Sequence, residues 1–128
     1  MVETPHDQLE TESVHPVPVK IMERYPHSRL VKVNGTSMDR VLPEGSLALV
    51  DFGSTVEAGD IAVVCTDGHN GTIKHIKLLA NGIELLPDST DPTHESEIHK
   101  CRDEDCSNIE IRGKVIWYAV PFDFIVPF

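Results

Sequence analysis

The sequence predicts a mostly β domain built from several short, strongly bent sheets, with little helix. Short β-prone runs follow one another along the chain, separated by turn signals rich in Gly, Pro, Asn and Asp. No window of about a dozen residues carries a helical stripe of apolar side chains, apart from a weak one near 21–24. A chain of 128 residues is the size of one ordinary domain and is long enough to bury a core.

The predicted strands are each bounded by a turn signal. They lie at 30–33, 47–52, 61–65, 72–79, 83–86 and 109–120. The strands at 72–79 and 83–86 are expected to pair as a hairpin, because Ala80-Asn81-Gly82 between them is a hairpin signal. In the last strand, strict alternation should place the apolar side chains on one face. These are Ile109, Ile111, Val115, Trp117 and Ala119.

Residues 1–20 are expected to form a flexible arm or the remnant of a linker, and residues 21–128 the domain itself. The arm is polar and acidic, contains three prolines and shows no apolar periodicity. It is expected to end by docking on the domain, through the extended segment Val17-Pro18-Val19.

The charge balance bears on the partners of the domain. Eleven Lys plus Arg stand against 21 Asp plus Glu, which gives a net charge of −10. Proteins that hold nucleic acid need clustered cations, and no basic cluster is present in this sequence. The domain alone is therefore not expected to bind DNA, although a separate domain of a longer parent could do so.

The cytoplasm is the expected compartment. The apolar runs are too short to span a bilayer, and the first fifteen residues lack the apolar core of a secretory signal. Three cysteines, Cys65, Cys101 and Cys106, are too few for a secreted disulfide framework, so reduced thiols are expected. No cofactor and no membrane contact are expected.

Ser37 is the first candidate for chemistry. It lies in Asn34-Gly35-Thr36-Ser37-Met38, directly after a predicted strand. Glycine permits unusual backbone angles, so a hydroxyl there can be exposed while nearby N–H groups point at an oxyanion. An ordinary turn is the competing interpretation of this short pattern. Met38 is expected to pack beneath the loop rather than to react.

Lys74 is the second candidate. On a strand over 72–79 it shares a face with Thr72, Ile76 and Leu78. Such a lysine either extends its amine to solvent or is desolvated. Desolvation lowers a lysine pKa from its usual value of about 10.4 and yields a neutral amine that can take a proton from a serine. The strand pattern by itself leaves both interpretations open.

Together these residues resemble a known family. The blocks VKVNGTSMDRVLPEGSLALVD, AGDIAVV, GTIKHIKLL, ELLPDS and IEIRGKVIW are similar, in the same order, to the peptidase domain of LexA, phage CI-type repressors and UmuD. The similarity covers about 25–120 and is strongest to phage-type helix-turn-helix repressors. It implies the LexA and signal-peptidase type of β-fold.

The resemblance also implies roles. The serine of the family motif is the nucleophile and the lysine of the later strand is the general base, which correspond to Ser37 and Lys74. The backbone N–H groups at Thr36 and Ser37 correspond to the oxyanion hole. The implied function is a self-processing and dimerisation domain of a transcriptional repressor. Its partners would be a second copy, DNA through a helix-turn-helix domain absent from this chain, and a RecA filament of the SOS response or an antirepressor.

One departure keeps a second function open. Family members cut an Ala-Gly or Cys-Gly bond upstream of the serine, and the Ala-Gly of this chain, Ala58-Gly59, lies downstream. The alternative is a regulatory and dimerisation module of a phage-type repressor that does not cleave. A signal peptidase is disfavoured because the acidic sequence shows no membrane anchor.

Two further segments attract attention. His94, His99, Cys101 and Cys106 could be drawn together around zinc, but their spacing lacks the usual ligand knuckles, and no metal site is predicted. The apolar segment 117–128 could pack on its own core or form a dimer contact. The sequence leaves these two interpretations of the segment open.

Overall fold

The computed structural model describes residues 9–11, 15–68, 71–102 and 105–120. Within these residues the fold is mostly β, as the sequence predicts, with one short helix. The helix α1 is Val19–Arg24. The strands are β1 Leu9–Thr11, β2 Ser28–Val33, β3 Leu47–Asp51, β4 Ile61–Thr66, β5 Thr72–Leu79, β6 Gly82–Leu86, β7 Glu97–Lys100 and β8 Ile109–Ala119.

The described strands join into one antiparallel sheet rather than several. Its order is β1-β2-β3-β8-β4-β5-β6-β7, so β8, the last of the described strands, lies in the middle. The predicted hairpin of β5 and β6 is confirmed, with Leu79 opposite Gly82. Because β8 pairs with β3 on one side and β4 on the other, it fastens the two halves of the sheet together.

Strand β8 does not alternate strictly as the sequence predicts. Its register shifts twice, once against Leu49/Val50 of β3 and once against Val63/Val64 of β4. A bulge of this kind bends a strand and changes the face to which the following side chains point. The apolar side chains of β8 are consequently divided among three core clusters. Ile109 and Ile111 pack on one, Val115 on the second, and Ile116 and Trp117 on the third.

The core cluster nearest the predicted serine is formed by β2, β3, β4 and β5 together with the loop after β2. Met38 and Leu42 of that loop are almost fully buried there, beside Val50 and Ile73. Met38 is therefore a packing residue, as expected. Burying its side chain and that of Leu42 stabilises the loop by roughly 1.5–3 kcal/mol each, which fixes the loop on the sheet.

The N-terminal segment contacts the domain at two places. Leu9–Thr11 pairs with β2, and Val17 packs on the cluster of Leu30, Leu47 and Leu49. Val19, by contrast, is exposed at the start of the helix. The docking expected of Val17-Pro18-Val19 is thus carried by Val17. The division of the chain at residue 20 stays a prediction.

The prediction of reduced thiols is wrong for two of the cysteines. Cys101 and Cys106 form a disulfide, with their Cα atoms 4.4 Å apart. Arg102 and Asp105, which lie between them in sequence, form a β-bridge that brings the two cysteines close. Cys65 is buried in β4. Sequence spacing alone could not show this, because a disulfide depends on how close the turn brings the two Cα atoms.

The apolar C-terminal segment, residues 117–128, is described only in part. Trp117 packs on the core, which supports the first interpretation of the apolar C-terminal segment for that residue. Residues 121–128 lie outside the described part of the chain, so the dimer interpretation stays a prediction.

Among the described residues, no helix has the length and apolarity to cross a bilayer.

Candidate active site

The loop that carries Ser37, residues 34–42, leaves β2 through a glycine with a left-handed backbone. Gly35 has φ 90°, which a residue with a Cβ rarely adopts, and its N–H donates to Glu44 Oε2 at 3.2 Å. The chain then coils, with the N–H of Leu42 donating to the Met38 carbonyl at 2.7 Å. Because Met38 anchors the coil in the core, the neighbouring Ser37 is held in place and is only 6% exposed.

Lys74 lies on β5, paired with Ala62 of β4, and is buried rather than extended to solvent. It is 8% exposed, with buried Ile73 and Ile76 on the same strand. Its Nζ donates a hydrogen bond to Thr72 Oγ1 at 2.9 Å, which places Thr72 and Lys74 on one face as predicted. Burial lowers the pKa of Lys74, because the charged amine loses its hydration.

Glu97 acts on Lys74 in the opposite direction. Its carboxylate faces the same cleft, and its charge partly offsets the effect of burial on the pKa of Lys74. The carboxylate itself is more than half exposed and bonds to His99 Nε2 at 3.0 Å. Screening by solvent therefore weakens the effect of the Glu97 charge on the pKa of Lys74.

We expect Glu97→Gln to lower the pKa of Lys74. An exposed charge pair contributes about 0.2–1 kcal/mol, so the neutral fraction of Lys74 near neutral pH should rise by about 1.4- to 5-fold. NMR titration of the Lys74 side chain measures this directly. Glu95→Gln is the matched control, since Glu95 lines the same cleft but does not act on the pKa of Lys74. An unchanged Lys74 pKa in Glu97→Gln would contradict the assignment.

Ser37 and Lys74 line the same cleft. Its volume is about 430 Å³, and its lining is mostly polar. The remaining lining residues all come from one stretch of chain: Pro87, Thr93, His94, Glu95, Ser96 and Glu97. The structure thus brings the two predicted residues together from β5 and from the loop after β2. It adds a wall, residues 87–97, that the sequence did not predict.

The wall, residues 87–97, is fastened to the serine loop mainly through Asp88. The N–H of Asp88 donates to the Ser37 carbonyl at 2.8 Å, and the Asp88 carbonyl accepts from the N–H of Arg40 at 3.0 Å. The Asp88 carboxylate bonds to His75 Nε2 of β5 at 3.0 Å. One residue of the wall therefore ties together the loop that carries Ser37 and the strand that carries Lys74.

A second set of hydrogen bonds, between Thr90 and Asp39, joins the wall to the serine loop. The Thr90 N–H and hydroxyl donate to the two oxygens of the Asp39 carboxylate at 2.8 and 2.9 Å. These bonds, the backbone one foremost, hold the pKa of Asp39 below its usual value. Asp91 is similar: the N–H of Thr93 lowers the pKa of its carboxyl and stiffens the wall.

The two predicted oxyanion donors are the N–H groups of Thr36 and Ser37. Among the described residues, neither N–H group donates to a protein acceptor. Other N–H groups of the same loop are satisfied: that of Asp39, for example, donates to the Thr36 carbonyl at 3.3 Å. Most buried or half-buried N–H groups are paired, so two adjacent unpaired donors beside a serine are a notable feature of this loop.

The residues considered for zinc have other partners. Cys101 and Cys106 form the disulfide, His99 bonds to Glu97, and His94 Nε2 lies 3.0 Å from Thr36 Oγ1. In the part of the chain that the structure describes, no group of three or more His, Cys, Asp or Glu side chains has the arrangement of a metal site.

The family of the chain follows from its sequence match. A family model described as Peptidase S24-like matches residues 3–116. The chain belongs to the Peptidase S24-like family. This is the LexA C-terminal type of domain, so the resemblance predicted from the sequence blocks is confirmed. The matched range includes the serine loop, β5 and the whole wall of the cleft.

Membership of the Peptidase S24-like family indicates a serine peptidase at the level of the family. The cleft holds serines in two different settings. Ser37 is buried, and its N–H and that of Thr36 have no acceptor among the described residues, whereas Ser96 lies on the more exposed wall. The first setting is the one in which the sequence predicts a nucleophile and donors for the oxygen of an attacked carbonyl.

Proposed function

We propose that this chain is the self-processing Ser–Lys peptidase and dimerisation domain of a transcriptional repressor, with Ser37 as nucleophile and Lys74 as general base. The observation that carries the proposal is the burial of Lys74 in the cleft that Ser37 also lines. A lowered pKa leaves more of the Lys74 amine neutral, and a neutral amine can act as a base without histidine or carboxylate.

The reaction is attack on a peptide bond. The neutral Lys74 amine takes the proton of the Ser37 hydroxyl as Oγ bonds to the carbonyl carbon. The carbonyl oxygen becomes an oxyanion, for which the N–H groups of Thr36 and Ser37 are the proposed donors. The C–N bond then breaks, the lysine ammonium returns its proton to the leaving nitrogen, and water hydrolyses the serine ester.

Thr72 has a supporting part in this proposal. Its hydroxyl oxygen accepts a hydrogen bond from the Lys74 amine at 2.9 Å, which keeps the amine on the cleft side of β5. An amine has several donors and one lone pair when neutral, so it can keep the bond to Thr72 while its lone pair faces a serine hydroxyl. The hydrogen bond therefore orients the Lys74 amine and leaves its lone pair available to accept a proton.

The proposal predicts that the reactivity of Ser37 rises with pH. Only the neutral amine accepts a proton, so the rate should increase as pH rises to the pKa of Lys74, and level off above it. Because that pKa lies below the ordinary value of 10.5, the plateau should begin at a lower pH than for an exposed lysine. The measurement is the rate of covalent labelling by a fluorophosphonate, followed by intact-mass spectrometry across pH.

The controls use the two serines of the cleft. Ser37→Ala should remove the label, and Ser96→Ala should keep it, since both serines line the same cleft but only Ser37 adjoins the proposed donors. Equal labelling of wild type and Ser37→Ala, or a label located on Ser96, would overturn the proposed nucleophile. A rate independent of pH would overturn Lys74 as the base.

The alternative is a regulatory and dimerisation module of a phage-type repressor that does not cleave. The observation in its favour is the absence of an Ala-Gly or Cys-Gly pair before Ser37, with Ala58-Gly59 in the turn before β4. In this alternative the domain pairs with a second copy, and an antirepressor controls it. The labelling experiment discriminates between the two, because a non-cleaving module gives no pH-dependent label at Ser37.

A further inference from the structure

We propose that His94 is a positioning residue that holds the oxyanion donors of this site through the side chain of Thr36. The inference rests on the proposed function and extends it to a residue that the sequence suggested only as a zinc ligand. Its basis is the contact of 3.0 Å between His94 Nε2 and Thr36 Oγ1, which joins the wall to the serine loop between residues 58 positions apart.

The serine loop needs an external anchor at Thr36. Its backbone enters through Gly35, which has no Cβ to restrict its rotation. The Gly35 N–H is held by an exposed glutamate, and the Thr36 carbonyl accepts a long bond of 3.3 Å from the N–H of Asp39. Neither contact fixes the direction of the Thr36 N–H firmly. A hydrogen bond at the Thr36 side chain fixes its Cα, and with it the two adjacent peptide groups.

His94 is itself held in the wall, residues 87–97. Its N–H donates to the Asp91 carbonyl at 3.3 Å, and its Nε2 lies 3.9 Å from the Asp91 carboxylate. Asp91 is fixed in turn by the N–H and hydroxyl of Thr93 at 2.9 and 2.8 Å. The wall is bound to the serine loop by Thr90 and Asp39. These contacts hold His94 in place between the wall and the serine loop.

The contact works in either tautomer of the histidine. A threonine hydroxyl donates to an unprotonated Nε2 and accepts from a protonated one, so the bond needs no particular protonation state. The ring nitrogen lies against Thr36 Oγ1, one residue before the proposed nucleophile. These features describe a residue that positions the loop and does not act as the base.

The test compares Ser37 labelling by a fluorophosphonate in variants of the full chain. His94→Leu removes the ring nitrogen, and Thr36→Val removes the hydroxyl but keeps the backbone N–H. Misplaced oxyanion donors cost about 10- to 100-fold in rate, so each variant should lower kinact by this factor and leave KI nearly unchanged. The double variant should be no slower than the slower single one, because both remove the same contact.

A conservative variant separates positioning from general stability. His94→Gln keeps a polar atom near the position of Nε2, so it should recover most of the rate that His94→Leu loses. The melting temperature, measured on each variant, should not follow the rate. Wild-type kinact in both His94→Leu and Thr36→Val, or multiplied losses in the double variant, would overturn the inference.

The outcome also separates this inference from the proposed function. If wild type is labelled at Ser37 and the variants are labelled equally fast, only the role of His94 fails. If wild type is not labelled at Ser37 at all, the proposed nucleophile fails and the role of His94 fails with it. If His94→Leu does not fold, Thr36→Val and His94→Gln decide the question.

Discussion

Replacing Lys74 with methionine is expected to slow the labelling of Ser37 by about 10²- to 10⁴-fold, the usual contribution of a general base, while making the folded domain more stable. Methionine has nearly the length of lysine and no charge, so it can occupy the buried position on β5 without a hydration penalty. We expect a gain of roughly 1–2 kcal/mol in the free energy of unfolding at neutral pH.

The sign of the stability change follows from the pKa of Lys74. Burial lowers this pKa in the folded chain, whereas the unfolded chain keeps the ordinary value of 10.5. Between these two pH values the unfolded chain binds a proton that the folded chain does not, which favours unfolding. The cost of the lysine thus grows as pH falls from about 10.5 to the folded pKa, and is constant below it. The advantage of Lys74→Met should vanish as pH rises to 10.5.

Lys74→Arg is the matched control for this experiment. The guanidinium keeps its charge at every accessible pH, so this variant should lose the labelling and also lose stability. Urea unfolding at several pH values, with labelling at each, measures both effects. Wild-type labelling in Lys74→Met would remove Lys74 from the reaction. If Lys74→Met lost as much stability as Lys74→Arg, burial of the lysine charge would have no cost.

The sequence predicts the strands of this domain better than it predicts the wall of its cleft. Strands such as β4 and β5 carry continuous or alternating apolar residues and end at glycine turns, so local signals suffice. The wall, residues 87–97, has no periodicity. Asp88, Thr90 and His94 are fixed by bonds to residues far away in sequence, and no local signal marks such contacts.

Strand β7 shows the same limit. Its residues, Glu97–Lys100, are mostly polar and exposed, because β7 is the edge of the sheet and has one neighbour, β6. An edge strand of this kind has few apolar positions, and its pairing depends on β6 rather than on its own composition. The bulges of β8 could not be predicted from local sequence either, because they arise where β8 pairs with β3 and β4 at once.

The candidate site was predicted in part. The resemblance supplied Ser37 and Lys74, and the alternation of β5 placed Thr72 beside the lysine. The burial that lowers the lysine pKa depends on tertiary packing around β5, so composition and spacing could not decide between a desolvated and an extended side chain. The prediction of reduced thiols was wrong for Cys101 and Cys106 because it was drawn from the number of cysteines, whereas the distance between the two Cα atoms decides whether a disulfide forms.

The packing of β7 against Gly82 leads to the second large prediction, for the variant Gly82→Ala. Gly82 begins β6 and lies opposite Lys100 of β7. A Cβ on Gly82 would lie 2.8 Å from Lys100 Cα and closer still to the His99 carbonyl oxygen. Both neighbours are backbone atoms and cannot turn aside, so β7 must move away from β6. Overpacking of this kind costs roughly 1–3 kcal/mol in the free energy of unfolding.

The displacement should reach the cleft, because β7 carries Glu97. Amide exchange over residues 97–100 should accelerate in Gly82→Ala, and the pKa of Lys74 should fall as the carboxylate withdraws. Gly53→Ala is the matched control: a Cβ there meets nothing within 4 Å, so its stability should stay within about 0.5 kcal/mol of wild type. Wild-type stability and slow exchange in Gly82→Ala would mean that β7 can pair with β6 without this close approach, and that the wall of the cleft is not held from its β7 end.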